Sequence, residues 1–214
     1  MPSWGVPATR LPMFPLSAVL FPHDSMPLHV FEPRYQALLR DCLAGDRRFG
    51  IVLISRGSEV GGGDQRTGIG TRGVITKAME VADGRWILEV RGEVRIEVEA
   101  WLPDEPYPVA LVTEPSVVPA PGSAVPALDE AVQRVRRARA VLAEHGGGRP
   151  LPPELSFDEG DAEVASWQLC AAAPVSAYDA QRLLAKGDAT ERVRLLVELM
   201  EELELDLHRM LNQE

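Results

Sequence analysis

The chain has 214 residues, 45% hydrophobic and 25% charged, the balance of a globular protein large enough to bury a core. Its formal net charge of −10 opposes nucleic-acid binding, which needs a basic surface against phosphate. Two cysteines, Cys42 and Cys170, are too few for a secreted disulfide scaffold and read as buried free thiols in a reducing cytosol.

The N-terminus carries only Arg10 as positive charge, and Pro12, Pro15, Pro22 and Pro27 break its apolar stretch. A signal peptide is therefore not expected. No apolar run approaches the ~20 residues that span a bilayer. The expectation is a soluble, cytoplasmic protein without a membrane partner.

From Leu11 onward the prolines exclude helix and leave extended segments, with Phe14, Phe21 and Phe31 as expected core. Pro33 suits a first helical position, and Tyr35, Leu38, Leu39 and Cys42 recur at helical spacing before Gly45. Gly50–Ser55 is a compact apolar run and predicts a strand buried on both faces. Glu59–Gly70, rich in glycine and polar residues, predicts a loop, and Gly73–Met79 a second strand. Asp83-Gly84 predicts a hairpin turn into Trp86–Val90. Arg91-Gly92 predicts another turn, into Val94–Glu99. There Val94, Ile96 and Val98 alternate with Arg95, Glu97 and Glu99, one face in a core and one in water. Tyr107–Val112 supplies a further strand, and so many short strands suggest a small barrel.

The prolines between Pro115 and Pro126 mark a linker, after which the period becomes helical. Leu128, Val132, Val135, Val141 and Leu142 mark one apolar helix face, ending at Gly146-Gly147-Gly148. Gly148–Gly160 is loop-like. Ala162–Ala173 predicts a helix with Trp167 as its largest core residue. Ser176–Asp179 and Asp188–Glu191 resemble capping boxes. In the last helix Val193, Leu196, Val197, Met200, Leu203, Leu207, Met210 and Leu211 recur at steps of about three and four residues, with Leu195, Leu199 and Leu205 widening the stripe.

Motifs for catalysis are sparse. Gly68–Gly73 matches Gly-x-Gly-x-x-Gly as a string, but a polar loop precedes it and a β-type segment follows, the wrong context for a dinucleotide. His23, His29, His145 and His208 show no metal-ligand spacing, so no metal or cofactor is expected. Lys77 and Lys186 lie in different halves without a serine at a recognised spacing. Glu198, Glu201, Glu202 and Glu204, and the arginines 134, 136, 137 and 139, read as solvated helix faces. No catalytic residue is singled out.

The N-terminal segment is the most specific. Leu11–Leu16, Val19–Pro22 and Met26–Tyr35 set a Pro-Leu, a Phe-Pro and a Pro-Leu-x-x-Phe-Glu-x-Arg-Tyr in order. This resembles the start of the Lon protease N-terminal domain family, especially its bacterial single-domain members. Phe49–Ile54, Gly70-Thr71, Trp86–Glu97 and Tyr107–Val112 continue the likeness, and Asp179–Leu184 and the final helix fit it more loosely. The resemblance implies an α+β fold: a PUA-like small β-barrel with one inserted helix (residues 10–115), a Pro-rich linker (116–126) and a C-terminal α-helical bundle (127–214). It also implies a non-catalytic module that binds polypeptides or a protein partner. The chain shows no Gly-x-x-x-x-Gly-Lys-Ser/Thr loop and ends before an ATPase or Ser–Lys protease domain, so neither activity is expected to transfer.

Phe31, Glu32, Arg34 and Tyr35 are the candidate polypeptide-binding residues, with a structural role for Glu32 and Arg34 at the strand-to-helix junction as the plainer reading. Alternatives are a small molecule or an enzymatic site in a pocket between barrel and bundle, and, disfavoured by charge, RNA on the barrel.

Overall fold

A computed structural model describes residues 7–57, 59, 63–81, 84–115, 127–146, 150, 151, 157 and 161–211. The expected linker 116–126, most of the 148–160 loop and Asp83 of the expected turn lie outside the described residues. The chain divides into two compact units, residues 1–116 and 117–214.

The first unit is a six-stranded mixed sheet with one helix. Its elements are β1 (Thr9–Leu16), β2 (Ser25–Val30), α1 (Pro33–Ala44), β3 (Arg48–Arg56), β4 (Gln65–Glu80), β5 (Trp86–Trp101) and β6 (Val109–Thr113). The order is β2-β5-β4-β3-β1-β6, and β6 also pairs with β5. The pairings of β1, β3, β4, β5 and β6 thus close into a ring, with β2 added on the far half of β5.

Two prolines sit in β1 because the strand changes partners midway. Thr9–Pro12 pairs antiparallel with β6, and Met13–Leu16 pairs parallel with β3. Each half has one registered neighbour, so a missing N–H interrupts less of the ladder. Phe14, Leu20, Tyr35, Leu38, Leu39, Phe49, Ile51, Ile75 and Val90 form one core, which α1 covers with its Tyr35–Leu38–Leu39–Cys42 face. Leu11, Met13, Val52, Ile96, Ala110 and Val112 form a second. Phe31, expected in the core, is 54% exposed.

Two turn-and-loop expectations are corrected. Gln65–Gly70 belongs to β4, and Gly70 lies so close to β3 that a Cβ there would sit 2.3 Å from the Ile51 carbonyl oxygen. Arg91-Gly92 is not a turn: β5 runs unbroken through it, and the register with β4 shifts at Gly73, which faces Gly92. The register shift is a bulge-like irregularity in the ladder, and the absent Gly92 side chain admits the Phe21–Asp24 backbone. The alternation in Val94–Glu99 holds on the inward side. On the other side, however, Arg95 is buried and paired with Glu97, so that face is not simply solvated.

The second unit holds α2 (Leu128–Glu144), α3 (Ala162–Ala172), α4 (Ala177–Leu184) and α5 (Ala189–Leu211), with α2, α3 and α4 each packed on α5. Val193, Leu196 and Met200 are buried, as the periodicity predicts, whereas Leu205 and Met210 are exposed. On α2 the buried row is Ala131, Val135 and Ala138, not the larger Leu128, Val132, Val141 and Leu142. Small side chains let the helices approach closely. Asp161 and Ser176 cap α3 and α4 through backbone N–H donors, and the Asp188 carboxylate accepts from the Glu191 N–H.

Of the expected solvated helix faces, Glu198, Glu201, Glu202 and Arg137 are exposed, whereas Glu204, Arg134, Arg136 and Arg139 are half-buried. Arg134 donates to Glu130, Glu201 and Glu204, tying α2 to α5, and Arg139 donates to the Ala172 carbonyl of α3. Arg192 is fully buried, 3.3 Å over the Trp167 ring, and donates to Glu163, Ser166 and the Lys186 carbonyl.

Candidate functional site

The junction between β2 and α1 holds all the sequence-derived candidates. β2 stands at the end of the sheet order and buries Leu28 and Val30, leaving Pro27 and His29 outward. Glu32 is the N-cap of α1 with an extended backbone and no capping bond from its side chain. Its carboxylate instead accepts from Arg34 at 3.2 Å, and Arg34 also donates to the Glu59 carbonyl at 3.0 Å. The Arg34 guanidinium sits 4.5 Å from the Tyr35 ring centroid. Tyr35 is buried, stacks on Phe14 at 4.1 Å, and burial pushes its hydroxyl up to about 12. Glu32, Arg34 and Tyr35 therefore brace the junction, and Phe31 alone of the four presents a large exposed apolar surface.

Three shallow clefts adjoin one another here through shared lining residues, and Phe31 lines two of them. One of about 320 Å³ is lined by Phe14, Leu16, Leu28, Val30 and Phe31, together with Glu32 and Glu59. A second, about 470 Å³, is lined by Met26, Pro27, Ala78, Met79, Ile87 and Leu88, with the Lys77–Glu89 ion pair beside them. A third, about 320 Å³, joins Phe31 to Val81, Trp86 and Ile87. Register explains the continuity: Ile87 of β5 lies opposite His29 of β2 on one side and Met79 of β4 on the other. Cross-strand partners share a face. Phe31, Met79 and Ile87 are 54%, 57% and 37% exposed, an apolar patch of the kind that marks interaction surfaces.

Met79 and Ile87 were not singled out from sequence. A signal existed: Ile87 is out of phase with the buried Leu88 and Val90, so an alternating strand must turn it outward. Gly68–Gly73 lies wholly inside β4, without the helix N-terminus that a pyrophosphate needs. Cys42 and Cys170 are buried, and burial pushes both thiols up to about 12. Among the described residues no group of three or more His, Cys, Asp or Glu could hold a metal ion, and no helix is long and apolar enough to cross a membrane.

The family model of the ATP-dependent protease La (LON) substrate-binding domain matches residues 10–202, nearly the whole chain. The chain belongs to the LON substrate-binding domain family. Across 194 residues it is 24% identical to the Lon protease of Cytophaga hutchinsonii, covering 89% of this chain and 24% of that protein. It is 33% identical over 98 residues to the Lon protease of Dictyoglomus thermophilum, covering 45% of this chain and 12% of that one. The chain thus spans about a quarter or less of the length of these relatives, and what matches is the LON substrate-binding domain.

Solved structures agree. The Lon N-terminal domain protein from Xanthomonas campestris superposes with a TM-score of 0.67 at 25% identity, covering 89% of this chain and 98% of that one. The N-terminal domain of the Mycobacterium avium complex Lon protease gives 0.60 at 17% identity, covering 90% and 98%, a likeness of fold. The LON substrate-binding domain family thus accounts for both units of the chain.

Proposed function

We propose that this chain is a non-catalytic polypeptide-recognition module of the cytoplasm. In this reading the closed ring of strands is a PUA-like small barrel, the helical unit is a bundle, and the β2–β5–β4 face receives apolar segments of unfolded polypeptide. The observation that carries it is the exposed triad Phe31, Met79 and Ile87 around three joined clefts, in a family defined by substrate binding.

The physical basis is burial of apolar surface. Each side chain that a bound segment covers contributes roughly 25 cal/mol per Å² removed from water. Shallow clefts lined by Met and Phe accommodate varied sequences, which suits a module that meets many polypeptides.

The test is fluorescence anisotropy with a labelled, permanently unfolded apolar polypeptide. The wild-type chain is expected to bind it. The triple variant Phe31→Ser, Met79→Ser, Ile87→Thr is expected to bind at least about tenfold more weakly, as when an anchor worth about 2 kcal/mol is truncated. These side chains lie at the surface, so the melting temperature should change little. Equal binding by both proteins would remove this face as the site.

A further inference from the structure

We infer that the cleft beneath Phe31 selects a basic side chain, lysine or arginine, flanked by apolar residues in the bound polypeptide. This rests on the polypeptide-binding reading and names the class of segment that the site prefers.

The cleft differs from its neighbours in charge. Its walls are Phe14, Leu16, Leu28 and Val30, and its charged lining residues are Glu32 and Glu59, with no lysine or arginine among them. Arg34 already neutralises Glu32. Glu59 accepts a hydrogen bond from the Ser17 backbone N–H, and its carboxylate forms no ion pair among the described residues. Arg34, which also donates to the Glu59 backbone carbonyl, is one cation against two carboxylates, so among the described residues the apolar cleft carries one net negative charge. The neighbouring groove instead carries the balanced Lys77–Glu89 pair, and the third cleft carries Arg85.

That arrangement matches a long cationic side chain better than a purely apolar one. The aliphatic stem can lie along Leu16, Leu28 and Val30 while its charged head lies beside the Glu59 carboxylate. Apolar walls lower the local dielectric and strengthen the attraction relative to open water. The net charge of −10 would also draw cationic segments toward the protein before contact.

The experiment uses the full chain and two N-acetylated, C-amidated peptides. They share one apolar sequence and differ only at a central position, lysine or norleucine, so terminal charge plays no part. Anisotropy in low salt is expected to show the lysine peptide binding about fivefold tighter, and high salt should narrow that gap. Glu59→Gln keeps an acceptor for the Ser17 amide and should bring the two peptides within about twofold of each other. Equal affinities on the wild-type chain, or a lysine advantage that survives Glu59→Gln, would overturn the inference while leaving polypeptide binding intact. Failure of both peptides to bind would overturn the polypeptide reading as well.

Discussion

Replacing Arg192 with alanine is expected to cost the helical unit about 3–5 kcal/mol, a large share of the ~5–15 kcal/mol that typically holds a domain folded. The side chain is completely buried. Its guanidinium donates to Glu163 at 2.6 Å, to Ser166 at 2.8 and 3.1 Å and to the Lys186 carbonyl at 2.8 Å, while its flat face rests on Trp167. Truncation opens a cavity under Trp167, strands the Lys186 carbonyl without its donor, and leaves the Glu163 carboxylate partly buried without its cation. Burial lowers the Arg192 pKa, while the Glu163 carboxylate opposes that shift and favours the charged form. Arg192→Met fills most of the volume without a charge and should cost clearly less than alanine, because a well-packed apolar replacement avoids the desolvation of an ion. Urea titrations followed by helical circular dichroism separate the three proteins. Coincident curves for wild type and Arg192→Ala would show that this cluster does not hold the unit together.

Gly92→Ala should destabilise the first unit by an amount at or above the upper end of the ~1–3 kcal/mol typical of overpacking. A Cβ at this position would lie 2.2 Å from the Phe21 carbonyl oxygen and 3.2 Å from Pro22 Cα, both backbone atoms that cannot swing aside like a side-chain tip. The Gly92 N–H donates to the Asp24 carbonyl at 2.9 Å, and its own carbonyl accepts from the His23 N–H at 2.9 Å. Any shift that relieves the clash breaks these bonds and displaces the segment that leads into β2. Gly68→Ala is the matched control, since nothing lies within 4 Å of a Cβ there, and its melting temperature should stay close to wild type. A Gly92→Ala melt equal to that control would disprove the close approach.

Those two positions also show where sequence was legible and where it was not. Local signals were sufficient for α1, where Pro33 and the Tyr35–Leu38–Leu39–Cys42 spacing define start and buried face, and for the caps at Ser176 and Asp188. The order of N-terminal Pro-Leu, Phe-Pro and Phe-Glu-x-Arg-Tyr motifs carried the family. Glycines misled for a physical reason. Gly92 and Gly70 look like turn and loop residues, yet each is demanded by backbone from a distant segment, Phe21 in one case and Ile51 in the other. No local window contains that partner.

The candidate site divides in the same way. The junction from Phe31 to Tyr35 was legible because its residues are contiguous in the chain. Its enlargement by Met79 and Ile87 depends on the β2–β5–β4 register, which sequence spacing alone does not set. Phe31 is a further case: aromatic type suggested core, but its position one residue past the end of β2 leaves it outside. Arg192 escaped notice because an arginine beside Glu191, Arg194 and Glu198 has the look of a solvated face, and the packing of Trp167 and Ser166 from α3 buries it.

The most direct measurement of the central claim is amide hydrogen exchange on the full chain, alone and saturated with an unfolded apolar polypeptide. Exchange should slow in Ser25–Phe31, around Met79 and across Trp86–Glu89, with α2–α5 unchanged, if the β2–β5–β4 face is where polypeptide binds. Protection confined to α2–α5, with β2 and β5 exchanging as in the free chain, would contradict it.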